Sequence, residues 1–446
     1  MKKILLLSIC LTAISSFAQD FWTSKATTFQ DLSRGIDDIS IVDNNVIWAK
    51  AYDGSSTSPT PPEVREFTLS TNGGNTWTSG DIDLGANQTV LAISSIHGLS
   101  ATTAWVSAYS NDPTLVTGGI WKTTNSGFSW TKQTTALFND TVDSFTNLVY
   151  FWDANNGFCQ GDPAGGYFEL YTTINGGTNW TRVPSANIPP KLTGEYGYVH
   201  NYDVVGDIIW FGTNKGRIYK SINKGLNWTV SQSPITDFGS ATVSGSYSFK
   251  DANNGLLVKS GTVPLLYRTV NGGTNWTPVT VVGSVGGNDI CYIPGTNTVV
   301  SVGRDGTLDY TSYSLDNGTT WTQVMPQTQV TTLKFRSATV GFGGGFTASP
   351  TEGGIYKYTG TQLGINTFDT NSKLAVWPNP AQNFIQFSGV EVASVRVFDL
   401  VGKQILSKNL ASGTTSVDVS GLTSGMYLVQ ASDANGAVST VKFLKE

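Results

Sequence analysis

Short β-prone runs, each cut off by a turn built from Asn and Gly, recur along most of the chain. Leu265-Leu-Tyr-Arg-Thr269 and Gly216-Arg-Ile-Tyr-Lys-Ser221 are typical. Each runs into the pattern Ser/Thr-x-Asn/Asp-x-Gly-x-x-Trp, which occurs six times. The copies are Asn72, Gly74 and Trp77; Asn125, Gly127 and Trp130; Asn175, Gly177 and Trp180; Asn223, Gly225 and Trp228; Asn271, Gly273 and Trp276; and Asp316, Gly318 and Trp321. Successive tryptophans lie 53, 50, 48, 48 and 45 residues apart. A period of that size means propeller blades or solenoid units. The glycine allows a positive φ, and the Asn, Asp and hydroxyl side chains can bond the backbone of their own turn. The Trp opens the returning strand with a large apolar body to bury. The pattern therefore predicts a self-braced β-hairpin with an aromatic peg.

Each interval has room for four short strands. Between Trp180 and Trp228 they are an outer strand from Asn179, an inner strand near Val199–Val205, a second at Ile208–Gly212 and a third at Arg217–Ser221. That is one four-stranded blade. Asp153-Ala-Asn-Asn-Gly157 and Asp251-Ala-Asn-Asn-Gly255 read as hairpins between first and second strands rather than calcium loops. Phe21-Trp22-Thr-Ser-Lys25 resembles a strand that follows the turn, without the turn, whereas residues 331–358 supply three strands and no final Trp. Joining the two ends closes a ring of seven blades and hides its sheet edges. The motif resembles the Asp-box, or bacterial neuraminidase repeat, of β-propellers. Five of six copies carry Asn where that family usually has Asp, which preserves the turn and argues against a carboxylate function for the box.

The two ends of the chain read differently. Residues 1–19 are expected to be a secretory signal peptide: Lys2 and Lys3, an apolar run from Ile4 to Ile14, and Ser16-Phe17-Ala18 as a small-x-small cleavage site. The propeller is placed at 20–364, a linker at 365–372, and a second β module at 373–446. That module carries Trp377-Pro378-Asn379-Pro380, Asp399 with Gly402 and Lys403, Gly425 with Tyr427, and a last strand at Val441–Lys445. In order and spacing these motifs resemble the type A sorting domain of the type IX secretion system of Bacteroidota, with an immunoglobulin-like β-sandwich fold. The resemblance implies passage through the periplasm and export across the outer membrane by that machinery. A sortase-like peptidase would then remove the domain, leaving the protein at the cell surface or in the medium.

Composition narrows the rest. With 49 Gly, 13 Trp and 17 Tyr and few helix-favouring residues, the chain reads as all-β. The formal net charge of −5 becomes −7 on loss of Lys2 and Lys3, and no basic block exists, so nucleic acid is not an expected partner. No later stretch is long and apolar enough to cross a membrane, so no transmembrane segment is expected in the mature chain. Cys159 and Cys291 read as two buried thiols, and no Cys/His spacing suggests zinc; neither metal nor cofactor is expected.

For the propeller itself, enzyme families were weighed against a binding role. A sialidase needs three converging arginines, a Tyr-Glu pair and an acidic Asp. Once Arg182, Arg217, Arg268 and Arg396 are set aside by position, Arg34, Arg65, Arg304 and Arg336 remain, and the Arg-Ile-Pro signature is missing. Endoglucanases of the xyloglucan type use two propellers and a carboxylate pair. His97 and His200 sit in no nucleophile pattern. The overall resemblance is to photosystem II assembly factor-like and sortilin-like propellers, which implies protein or peptide binding. The reading is an exported, non-catalytic binding or adhesion propeller with an extracellular protein or glycan ligand; the alternative is a glycoside hydrolase. Ligand contacts are expected on the loop at 188–198, with Glu195, Tyr196 and Tyr198 and nearby His200 and Tyr202, and on the second-to-third-strand turns with Asp162, Tyr167, Arg304 and Asp305.

Overall fold

The computed structural model describes residues 21–359 and 375–446, apart from 56–62, 113, 115–116, 141–142, 240–243, 306, 325–327, 389–391, 401, 412–413 and 433–437. The expected signal peptide and linker lie outside the described residues. The chain divides into two compact units at Gly364/Ile365.

The first unit is a ring of seven four-stranded antiparallel blades. The innermost strands, in chain order, are Arg34–Ile41, Leu91–Gly98, Thr146–Phe151, Gly197–Val205, Gly245–Phe249, Asp289–Tyr292 and Leu333–Ser337. Blade 7 takes its outer strand from the other end of the chain: Trp22–Ala26 pairs with Glu352–Tyr358, Trp22 opposite Tyr358. The Trp22 indole also donates to Thr311 of blade 6 at 2.9 Å. The apolar core lies between blades. Trp228, for example, packs on Phe158 and Phe211, and Trp180 on Phe151.

The six boxes fold alike. The Ser or Thr hydroxyl accepts the glycine N–H four residues on, at 2.8–3.0 Å. The Asn or Asp oxygen accepts a second N–H four residues beyond itself. The residue between Asn/Asp and Gly is left-handed in all six, including non-glycines Ser126, Lys224 and Asn317. Its N–H donates to a carbonyl in the first hairpin of the same blade, those of Asn45, Thr102, Asn155, Asp207, Asn253 and Asn297. That bond offsets the strain of a left-handed side chain. The following Gly has no such latitude: a Cβ on Gly127 would lie 2.1 Å from the Phe67 ring of the preceding blade, and one on Gly74 2.3 Å from Phe342. A further lock joins neighbours: Lys122 and Arg268 on third strands reach box carbonyls of the next blade, at Gly176 and Asn317, and Lys220 reaches the Ala252 carbonyl of the next blade's first hairpin. Asp153 and Asp251 accept the two N–H groups of their own turns, so both segments are hairpins.

The second unit stacks a three-stranded sheet (Ala375–Trp377, Phe384–Ser388, Ser416–Asp418) on a four-stranded one (Ser394–Phe398, Gln404–Asn409, Gly425–Ser432, Val438–Lys445). Val376, Ile385 and Val417 of one sheet meet Val395, Val397, Val429 and Phe443 of the other in one core.

Candidate functional site at the channel mouth

An innermost strand leaves one edge unpaired by its own sheet, and its N–H groups need other acceptors. Side chains of the preceding blade supply them. Asp38 accepts the N–H of Ile96, Ser95 that of Val149, Asp203 that of Phe249, Ser248 that of Tyr292 and Asp289 that of Leu333. Between blades 3 and 4 the acceptor is Asp162, whose carboxylate takes the Gly197 N–H at 2.8 Å. This inter-blade stitching brings carboxylates to the centre of the ring.

They surround a cavity of about 390 Å³ lined by parts of blades 1, 4, 5, 6 and 7, among them Asp38, Tyr198, His200, Asp203, Asp289 and Lys334. Tyr52, Tyr202 and Tyr247 add aromatic wall, and Asn201 and Asn288 add amides. Two contacts span the ring between blades that are not neighbours. His200 Nδ1 lies 3.3 Å from the Ser94 carbonyl of blade 2, and the Lys334 ammonium of blade 7 sits 5.6 Å from the Tyr202 ring centre of blade 4. His200 reaches so far because its strand bulges: pairing shifts register between Gly197 and Tyr202, and His200 takes a φ of 42°.

The carboxylates differ in how far they are spent. Asp203 uses one oxygen on Phe249 and the other on Val204. Asp289 accepts from Ser246 and Ile290 on one oxygen and from Leu333 on the other. Asp37 is held by Lys50 at 2.8 Å. Asp38 gives Oδ2 to Ile96, and its Oδ1 has no hydrogen-bond partner among the described residues although Asp38 is only 7% exposed. Burial raises the pKa of Asp38, Asp203 and Asp289. Burial pulls that of Lys334 down, but the nearby Asp203 and Asp38 outweigh it, and the ammonium is held above its ordinary value. His97, buried beside Tyr150, is pushed down to about 4 by burial.

Of the residues read from sequence, Tyr198 and the nearby His200 and Tyr202 line this cavity. The Tyr198 hydroxyl donates to Asp237, and its ring meets that of Tyr196, which is 42% exposed on the rim. Glu195 is turned inward: it is 2% exposed, and its carboxylate is held by Arg217 (Nε–Oε1 2.9 Å), Thr213 and the Leu192 N–H. Asp162 lies behind the mouth against Asn147 and Gly197, and burial lifts its pKa to about 6. Tyr167 lines a separate hollow with Arg182 and Pro184. Arg304 and Asp305 are exposed at the turn between the second and third strands of blade 6, with Arg304 paired to Asp309. Cys159 and Cys291 are both free thiols, the latter on the cavity wall. Sequence reasoning missed Asp38, Asp203, Asp289 and Lys334. The one signal available was that inner strands otherwise apolar or hydroxylated carry isolated charges.

Residues 375–446 match the secretion system C-terminal sorting domain family. The C-terminal unit is a type IX secretion sorting domain. The chain is thus a propeller protein exported by that route to the cell surface or medium. Among solved structures, the chain is similar to YCF48 bound to a D1 peptide, at 17% identity over 77% of this chain and 98% of that one, with a TM-score of 0.52. It is similar to YCF48 from Cyanidioschyzon merolae at 18% identity over 76% and 98%, with a TM-score of 0.51. These likenesses establish the shared propeller fold alone. A Trypanosoma rangeli sialidase in complex with 2,3-difluorosialic acid follows at 10% identity over 94% and 87%, and its TM-score of 0.40 is too low to bear on chemistry. No curated protein matches the chain.

Proposed function

We propose that the exported propeller is a non-catalytic binding module whose ligand enters the channel mouth. The observation that carries this reading is the state of the mouth's carboxylates. Four aspartates line the cavity, so by count alone a hydrolase has its acids. Glycoside hydrolysis needs two carboxyl groups with oxygens free to face the scissile bond. Here Asp203 and Asp289 spend both oxygens inside the protein, Asp37 is tied to Lys50, and Asp38 alone keeps an oxygen available. No arginine or glutamate lines the cavity among the described residues, which removes the groups a sialidase would use. What remains is a cup with tyrosine walls and scattered polar groups, the composition of a recognition site.

A peptide is the ligand class to test first. YCF48, which shares the fold, is seen with a peptide bound. We place Tyr196 and Tyr198 among the contacts, with the turns at Asp162–Tyr167 and Arg304–Asp305 on the surrounding rim. Glu195 shapes the loop from within. After export, the sorting domain is expected to be cleaved off, so that a chain ending at Gly364 stays in the periplasm whereas the full chain leaves it and loses the Trp377–Pro380 segment.

The test is to pan the purified full-length protein against a random peptide display library and a glycan array, while assaying the arrayed glycans for hydrolysis. Enrichment of a peptide or retention of an intact glycan fits binding. Release of sugar from any glycan overturns it in favour of a hydrolase.

A further inference from the structure

The binding reading leaves open what the cup selects, and its charges narrow the choice. Asp37 is neutralised by Lys50. Three carboxylates, Asp38, Asp203 and Asp289, then face the Lys334 ammonium and the His200 imidazole. The surplus is negative, and it lies within walls of Tyr52, Tyr198, Tyr202 and Tyr247 that limit screening by water.

Lys334 shows how this space treats a positive charge. Its ammonium makes no hydrogen bond and no ion pair within 4 Å among the described residues; it stands over the Tyr202 face instead. A cation resting on an aromatic face amid carboxylates is stabilised by ring quadrupole and field together. The resident ammonium therefore samples an environment already suited to its charge type.

Asp38 adds a second, independent observation. Asp38 Oδ1 has no donor among the described residues and is not sealed from the cavity, so a ligand N–H can take it in place of water. Asp38 lines the cavity with this oxygen unbonded, whereas Asp37, the other lining carboxylate with an oxygen outside a hydrogen bond, is ion-paired to Lys50. A volume of about 390 Å³ accommodates a small group together with part of a chain.

We propose that the cup receives the cationic side chain of a lysine or arginine presented by an extracellular peptide, its N–H groups meeting Asp38 Oδ1 and its charge lying between the tyrosine walls. This rests on the binding reading above and specifies its ligand. Lys334 then competes with the ligand for the same field. The two residues should act in opposite directions, which neither a merely structural role nor an anion site would produce.

The experiment uses capped pentapeptides, acetyl-Gly-Gly-X-Gly-Gly-amide with X as Lys, Arg, norleucine or Glu, titrated calorimetrically into the full-length protein and into Asp38→Asn and Lys334→Met. Asn at 38 can still accept the Ile96 N–H through its amide oxygen. The Lys and Arg peptides should bind at least tenfold tighter than the norleucine and Glu peptides. Asp38→Asn should weaken them at least tenfold, and Lys334→Met should tighten them severalfold, with melting temperatures recorded alongside. Should either variant fail to fold, the salt dependence of the unmodified protein decides: affinity for the Lys peptide must fall as ionic strength rises. A preference for Glu, a loss of binding in Lys334→Met, or an affinity indifferent to salt overturns the proposal. If these peptides fail while panning still yields a ligand, the cation assignment falls and the binding reading survives; if panning also yields nothing, both fall.

Discussion

The two ends of the propeller ring are built by opposite rules. At the box end, six turns repeat one hydrogen-bond scheme almost atom for atom, each with a left-handed residue tied to the neighbouring hairpin, and in five of them the glycine presses on an apolar side chain, Gly177 meeting Gln133 instead. At the channel mouth the stitching side chain changes from junction to junction. One junction is stitched by serine, another by aspartate, a third by Asp162 from a second strand, and blade 4 bulges to send His200 across the ring. The regular end bonds the hydroxyl and amide groups of its turns to its own backbone, so it is scaffold. The irregular end leaves Asp38 Oδ1 and the Lys334 ammonium without hydrogen-bond partners among the described residues, so it has chemistry to offer.

The contrast can be broken most violently at the seam. Deleting residues 20–28 removes the strand that covers Glu352–Tyr358, together with Phe21 and Trp22 from the core. An exposed edge of that kind recruits other chains. Size-exclusion chromatography should show concentration-dependent association, and the melting temperature should fall further than for any single substitution. A monomeric deletion product with unchanged melting would contradict closure by the two ends.

Next comes the aromatic peg. Trp228→Ala should destabilise by roughly 3–5 kcal/mol in denaturant titrations, since the ring is wedged between Phe158 and Phe211. A loss under about 1 kcal/mol would mean that the peg does not hold neighbouring blades.

A smaller effect of the opposite sign is expected behind the mouth. Asp162 has a folded pKa of about 6, above its usual 3.8, chiefly through burial. Between those values the folded protein holds a proton that the unfolded chain has released, so stability falls as pH rises through this window and stays low above it. Asp162→Asn should remove that dependence. At pH 7 it should be more stable than the parent by about 3 kcal/mol at most, with the difference fading below pH 4. Equal stability at pH 7, or a gain that grows on acidification, would show that the Asp162 carboxylate is not penalised by burial.

The same division explains what could be read from sequence. The box turns, the seven blades and the role of Trp22 were legible because each rests on local turn chemistry repeated at a fixed period. The sorting domain was legible because its motifs occur in one order. The cup was not. Asp38, Asp203, Asp289 and Lys334 are scattered over some 300 positions, and only ring closure brings them together. Glu195 misled for a related reason. Its loop carries the aromatic and charged residues of a contact surface, but its partner Arg217 lies 22 residues on, across a blade whose register had to be known first. The bulge at His200 gave no warning either, as no glycine marks the left-handed residue.

The most direct test sets the two ends against each other in one experiment. Affinity for the peptide recovered by panning and melting temperature are measured for Tyr196→Ala/Tyr198→Ala at the mouth and for Trp228→Ala at the box end. Mouth substitutions should lower affinity at least tenfold with melting nearly unchanged. The box substitution should lower melting while affinity holds at temperatures where the protein remains folded. If the tyrosine pair instead collapses the melting temperature and leaves affinity intact, the mouth is core rather than site, and the assignment of function to the irregular end is wrong.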